Sequence, residues 1–403
     1  MQDISLNHVH LSGKQFAHWL FARIFNLMLV IVLLFCTINT LTSVPLDKIF
    51  LCICIIAILF INPEKKVFTS KEFLVVLSFT AIAVLSSVAN LIFFPMIFFP
   101  IMGLCFAIIV SKYKHLVVYS LYYALFIHIV IGIILLILAF FGFARFNVSS
   151  SVKGFADLYS THGFTATVQT YGTLCISWLL LYILRGRMGL NTGIDKLFCL
   201  VTNLAILLTF NRSSYLFWII VLFFEFPVFF WSLTIFMTVL LINFWDILTK
   251  FLLSSGSIVS RIQLLQGFEI SYMQSHSLKV YLFGRGTDQI SEEVAKRVKW
   301  TNRTDLENGY TMLLHSYGII GLVAYISVCL YFIFLFLKIN RFKEAFFLFF
   351  YFFATQYITQ EFVTTTFYVF LTIMLFTYKI YSQKLKIPEH KTVILKKKIS
   401  SIY

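Results

Sequence analysis

Long apolar runs, each closed by a short cluster of charged or turn-forming residues, make up most of this chain. Runs of about 16 to 25 apolar residues fit helices that cross a bilayer. They fall near residues 21–40, 45–62, 73–91, 92–110, 116–141, 166–184, 194–211, 213–228, 230–248, 309–337, 345–360 and 362–380. The pattern predicts an all-α polytopic membrane protein of about twelve spans. Transmembrane strands would instead alternate polar with apolar residues.

Loop charge orients these spans. With a cytoplasmic N-terminus the inside loops read "NPEKKVFTSKE", "SKYKH", "RGRMGLNTGIDK", "FEFPVFFW" and "KINRFKE". All but the turn at Pro227 are rich in Lys or Arg, as cytoplasmic loops are. Joining the spans that flank Pro227 into one would export either "KINRFKE" or the basic tail 381–403. Both termini are therefore expected inside, on a single transmembrane domain covering 1–403. Two outside segments are long, 142–165 and 249–308. The larger holds "SEEVAKRVKW", predicted as a short helix with Ile290, Val294 and Val298 on one face, resting on the bundle or on the lipid interface.

Composition agrees with this pattern. Hydrophobic residues make up 60% of the 403 and charged residues only 12%, against about 25% charged in soluble proteins. The net charge of +15 follows from the basic inside loops and tail, and nothing in it points to nucleic acid. The cysteines (Cys36, Cys52, Cys54, Cys105, Cys175, Cys199 and Cys329) lie in or beside apolar runs and read as structural thiols. The first span is read as uncleaved, which makes it the targeting segment.

Candidate chemistry gathers on the outer face. Arg212 lies in the turn between the seventh and eighth spans, followed by Ser213 and Ser214 at a helix N-terminus, a setting suited to anions. An arginine snorkelling to lipid phosphate is the simpler alternative. The large loop adds Arg261, in "SSGSIVSRIQLLQGFEI", and Arg285, between two glycines in "YLFGRGTDQ" that would let backbone approach a ligand. Guanidinium forks grip phosphate in bidentate fashion. Glu307 and Asn308 stand at the mouth of the tenth span, where Gly318 and Gly321 allow close helix packing. Glu307 is the candidate general base, with Asp305 as its substitute and a dipole-favoured helix carboxylate as the alternative. His315 reads as a packed polar residue. Glu361, with Gln356 and Gln360, either binds sugar hydroxyls or sits in a wet turn. No internal repeat stands out.

The order "NRSSYL", "SRIQLLQGFEI", "LFGRG" and "ENGYTMLLHSYGIIG" resembles the O-antigen polymerase and ligase superfamily, over roughly residues 195–335. In the ligase branch the last motif begins with His-Asn. Here Glu307 precedes Asn308, and Gly318 and Gly321 keep the register. The resemblance implies glycosyl transfer at the periplasmic face of the inner membrane, with undecaprenyl-diphosphate-linked oligosaccharides as donor and acceptor. A repeat-unit polymerase of the Wzy kind is favoured. A ligase to lipid A core is the first alternative, and a lipid-linked oligosaccharide flippase the second. Arg212 and Arg261 would neutralise the departing diphosphate, Arg285 would assist, and Glu307 would take the acceptor proton. No cofactor or metal is implied. Partners would be the bilayer and, within the pathway, a chain-length regulator and a flippase.

Overall fold

The computed structural model describes residues 81–82, 84–91, 116–143, 148–152, 157–165, 167–243, 245, 256–298, 306, 308–358, 361 and 364–386. The expected spans near 21–40, 45–62 and 92–110, most of that at 73–91, and the tail beyond Lys386 lie outside the described residues. So do Asp305, Glu307 and Gln360, and the side chain of Arg261.

The described chain is mostly helical. A π-helical turn, Leu116–Leu121, leads into α1 (Tyr122–Phe140). A β-hairpin follows, β1 (Val148–Val152) with β2 (Asp157–Thr161), antiparallel from Val148 opposite Thr161 to Val152 opposite Asp157. The all-α expectation holds for the described residues apart from this one short hairpin. The hairpin falls within 142–165, expected as a loop; "VSSSV" is short and polar and carries no alternating pattern that would announce a strand. Its β2 end is pinned by the Thr161 hydroxyl, which donates to the Gly132 carbonyl of α1 at 2.8 Å.

Four helices come next: α2 (Val168–Arg187), α3 (Gly193–Leu207), α4 (Arg212–Glu225) and α5 (Pro227–Asn243). Each start has a local cause. Thr167 and Thr170 cap α2 reciprocally, and Thr192 gives its N–H to Asp195 at 2.6 Å, both capping-box geometry. Asn211 accepts from the Ser214 N–H at the start of α4. Phe226 leaves helical geometry at φ −132° and ψ 57°, and Pro227 opens α5. The "FEFPVFFW" stretch therefore divides two helices.

The large loop contains α6 (Gly256–Ser271), α7 (Leu278–Phe283) and α8 (Glu292–Arg297). The last is the short helix predicted from "SEEVAKRVKW". Its apolar face lies on α6: Ile290 is buried, and its Cδ1 sits 2.8 Å from where a Cβ on Gly267 would be. The chain then forms α9 (Gly309–Lys338), α10 (Phe342–Phe349), a π-helical turn Phe350–Thr355 with a last turn Gln356–Ile358, and α11 (Thr365–Lys386). Among the described residues, two helices are long and apolar enough to cross a membrane, Val118–Phe140 with 23 residues and Gly309–Lys338 with 30.

One residue ties together four segments that loop charge places on the same side. Arg187, ending α2, donates to Glu225 Oε1 at 2.5 Å and to Glu344 Oε1 at 2.7 Å. It also bonds the Tyr381 hydroxyl. The ends of α2, α4 and α11 and the start of α10 therefore share one end of the bundle, here the basic end. At the opposite end Thr173 of α2 meets Glu361, Gly172 faces Ser214, and Asn308 bonds the Tyr357 carbonyl. The helices alternate in direction through the bundle.

The core is aromatic and threonine-rich. Trp178 stacks on Tyr122 at 4.8 Å and donates its indole N–H to the Tyr122 carbonyl at 3.0 Å. Phe217, Tyr351 and Phe370 form a second nest, with the Tyr351 and Phe370 rings 4.1 Å apart. Leu200, Leu204, Ile219, Phe223, Ile235, Val323 and Phe334 instead face outward. Of the cysteines, Cys175 and Cys329 are buried free thiols, and Cys199 is a partly buried one.

Candidate functional site

The site is built around a break in α9. At Gly318 the backbone takes φ 67° and ψ −166°, a conformation open almost only to glycine. Gly284, ending α7, takes nearly the same angles, φ 72° and ψ −166°. The two turns cross back to back. A Cβ on Gly318 would lie 2.4 Å from the Leu282 carbonyl, and one on Gly284 would lie 2.5 Å from the Ser316 carbonyl carbon.

This corrects two expectations. Gly318 does not serve helix–helix packing within a continuous span. Gly284 and Gly286 do not open space for a ligand. Gly284 admits the backbone of α9, and Gly286 faces Asn90. Gly321 serves the break as well, because a Cβ there would meet Tyr317 Cβ at 2.1 Å.

A broken helix leaves carbonyls without intrahelical partners. Here the loop supplies donors: Arg285 N–H to the His315 carbonyl at 2.6 Å and Gly286 N–H to the Ser316 carbonyl at 3.1 Å. The Ser86 hydroxyl lies 2.8 Å from the Ser316 carbonyl and 2.5 Å from that of Phe283. A third contact layer is made of side chains. Arg285 Nε donates to the Ser271 carbonyl at 2.7 Å. His315 Nδ1 lies 2.7 Å from the Thr287 carbonyl and Nε2 lies 2.8 Å from Ser271 Oγ. A carbonyl only accepts, so Nδ1 carries the proton, and in the neutral ring Nε2 accepts from the serine. His315 is fully buried, in keeping with its reading as a packed polar residue.

The other site residues fall into a second group. Asn308 caps α9, accepting from the N–H groups of Tyr310 and Thr311, while its amide donates to the Tyr357 carbonyl at 2.6 Å. Arg212 is exposed at the first turn of α4. The hydroxyls beside it are not aimed outward as the anion reading required: both Ser213 and Ser214 are buried and bond Asn211 Oδ1, at 2.5 and 3.2 Å. Capping α4 has claimed them. The helix bearing Arg212 packs on α2, α3 and α5, whereas the loop bearing Arg285 packs on α9.

Glu361 is neither exposed nor in a wet turn. It is 2% exposed and accepts from the hydroxyls of Thr173 at 2.9 Å and Tyr351 at 2.8 Å. Burial drives its carboxyl up to about 7, partly offset by those two hydroxyls. The neutral form is thus favoured in the folded protein. Stability is fully present below the unfolded value near 4.5 and falls as pH rises towards 7, by about 3 kcal/mol. Glu361→Gln keeps an acceptor for one hydroxyl and a donor for the other. It is expected to raise the melting temperature at pH 8 and leave it unchanged near pH 4.5, as thermal melts of detergent-purified protein will read.

Sequence reasoning missed Ser271, Thr287, Ser86, Thr173 and Tyr351 as partners. Small hydroxyl residues and backbone carbonyls carry no periodic signal. No protein-family model matches this chain, nor does any curated protein.

Proposed function

We propose that this chain is a multi-pass inner-membrane glycosyltransferase with about twelve spans, its active face periplasmic. In this reading it joins undecaprenyl-diphosphate-linked repeat units into O-antigen or capsular polysaccharide. The observation that carries the reading is a convergence. Two of the four stretches on which the superfamily resemblance rests meet at the break in α9, Arg285 in "LFGRG" and His315 in "ENGYTMLLHSYGIIG", and Ser271, the residue that follows "SRIQLLQGFEI", joins them. Apolar side chains facing outward and the junction of four basic-side segments at Arg187 support a membrane setting with this order of helices.

The chemistry is a single displacement. The acceptor hydroxyl oxygen bonds to the anomeric carbon, and the bond from that carbon to the diphosphate breaks, its electron pair leaving with the diphosphate. Glu307 takes the acceptor proton. Arg212, Arg261 and Arg285 carry the charge that develops on the leaving group, the place where fixed cations lower a barrier most. Inversion at the anomeric carbon follows from a single in-line attack.

The flippase alternative draws on the broken helix, since interrupted spans hold substrates and ions in transporters. In α9 the freed carbonyls of His315 and Ser316 already accept from Arg285 and Gly286. A closed backbone junction of this kind favours a fixed scaffold over an ion site.

Deleting the gene and resolving the surface glycan by gel tests the proposal. A polymerase deletion leaves core carrying one repeat unit and no ladder. Loss of every attached repeat identifies a ligase, and stalled cytoplasm-facing lipid-linked units a flippase. Arg212→Ala, Arg261→Ala and Glu307→Gln should each remove the ladder at unchanged protein level. A full ladder from Glu307→Gln would withdraw it as the base.

A further inference from the structure

We infer that His315 is a positioning residue that sets Arg285 as a fixed two-pronged grip for a diphosphate. This rests on the glycosyl-transfer reading above and adds a component to its site.

The geometry is a closed ring of hydrogen bonds. Arg285 N–H donates to the His315 carbonyl at 2.6 Å, and Arg285 Nε donates to the Ser271 carbonyl at 2.7 Å. Ser271 Oγ meets His315 Nε2 at 2.8 Å, and His315 Nδ1 returns to the Thr287 carbonyl at 2.7 Å. Backbone and side chain of Arg285 are thus both tied: the N–H to the carbonyl of His315 itself, and Nε to the carbonyl of Ser271, whose hydroxyl the imidazole holds while it anchors the Arg285 loop again at Thr287. His315 is fully buried and Ser271 nearly so, so water does not compete for these bonds.

The consequence falls on the guanidinium. With Nε committed to a carbonyl, the guanidinium is restrained and its two terminal nitrogens are left to serve another acceptor. Neither makes a hydrogen bond to a described side chain, and the residue is partly exposed. Two parallel N–H donors on a rigid plane match two phosphate oxygens. A flexible surface arginine would lose rotamer freedom on gripping an anion; this one has lost it on folding. Preset charge of this kind favours the departing diphosphate without reorganisation.

The imidazole itself reaches no ligand, so its contribution passes entirely through Arg285. That makes the two residues interdependent in a way that can be measured. The probe is undecaprenyl diphosphate without sugar, titrated onto the full-length protein in detergent and followed by native mass spectrometry. Arg285→Ala is expected to weaken binding roughly ten- to a hundred-fold, the loss of a charge-assisted pair. His315→Ala should approach the same loss. The double variant should bind no more weakly than Arg285→Ala alone, because His315 has nothing left to position. His315→Asn places an amide nitrogen where Nδ1 was, restores the bond to the Thr287 carbonyl, and should recover most of the affinity.

Additive losses in the double variant would overturn the inference and make His315 a general packing residue. So would wild-type affinity in His315→Ala, whatever its melting temperature. If Arg212→Ala weakens binding while Arg285→Ala and His315→Ala do not, the glycosyl-transfer reading stands and this inference falls. If the wild-type protein does not bind undecaprenyl diphosphate at all, both fall.

Discussion

Gly318→Ala is expected to leave little folded protein in the membrane fraction. Two costs add at this position. The residue must hold φ 67° and ψ −166°, where an L side chain is strained by about 1–3 kcal/mol. Its new Cβ would also lie 2.4 Å from both the carbonyl carbon and oxygen of Leu282. Those are backbone atoms at the end of α7 and cannot rotate aside, so relief requires the crossing to open, at about 1–3 kcal/mol more. Opening it withdraws Arg285 N–H and Gly286 N–H from the carbonyls of His315 and Ser316, which leaves buried acceptors unpaired. Gly284→Ala meets the Ser316 backbone at 2.5 Å and should behave alike. Because both break one junction, the double variant should be less damaging than the sum. Gly193→Ala is the control: a Cβ there meets nothing within 4 Å, and its melting temperature should hold or rise slightly. Fluorescence-detected size exclusion reads all four variants, and a monodisperse Gly318→Ala peak with an unshifted melt would refute the account of the crossing.

Arg187→Ala has the second large effect. The guanidinium serves Glu225, Glu344 and Tyr381 together, and the side chains of the two glutamates are only 9% and 7% exposed. Removing it strands two carboxylates in a poorly hydrated pocket. Breaking a buried pair costs about 3–5 kcal/mol, and here the figure sits near the lower end because the Arg187 side chain is 30% exposed. Arg187→Lys should rescue only partly, since one ammonium cannot reproduce a planar fork spread over three acceptors. Adding Glu225→Gln and Glu344→Gln to Arg187→Ala removes the stranded charge and should recover much of the melting temperature. If Arg187→Ala melts like the wild type, the junction is not what holds these four segments together.

In the proposed membrane setting, apolar burial weighs differently than in a water-soluble domain. Where lipid surrounds the outward Leu, Ile and Phe side chains, moving them inward gains little, and close packing with interhelical hydrogen bonds sets helix association. That is why the two most damaging substitutions are a backbone crossing and an ion junction, neither of them an aliphatic truncation.

Much of the architecture could be read directly from residue order. Apolar run lengths predicted α1, α9 and the pair divided at Pro227 to within a few residues, because a helix declares itself through local hydropathy. Loop charge alone assigned Arg187, Glu225, Glu344 and Tyr381 to one side, and all four meet. The amphipathic order of "SEEVAKRVKW" announced α8. Each of these signals is local, carried within one segment. The hairpin at Val148–Thr161, the break at Gly318, the turning of Ser213 and Ser214 onto Asn211, and the burial of Glu361 were settled only by the tertiary structure. The hairpin, the break and the buried carboxyl depend on what a distant segment offers: a carbonyl at Gly132, a backbone at Leu282, a hydroxyl at Thr173. The two serines turn instead onto a cap two and three residues away. A glycine inside an apolar run is equally consistent with tight helix packing and with a broken helix. What distinguishes them is whether another chain segment brings N–H donors to the carbonyls set free, and sequence order does not say which segment arrives.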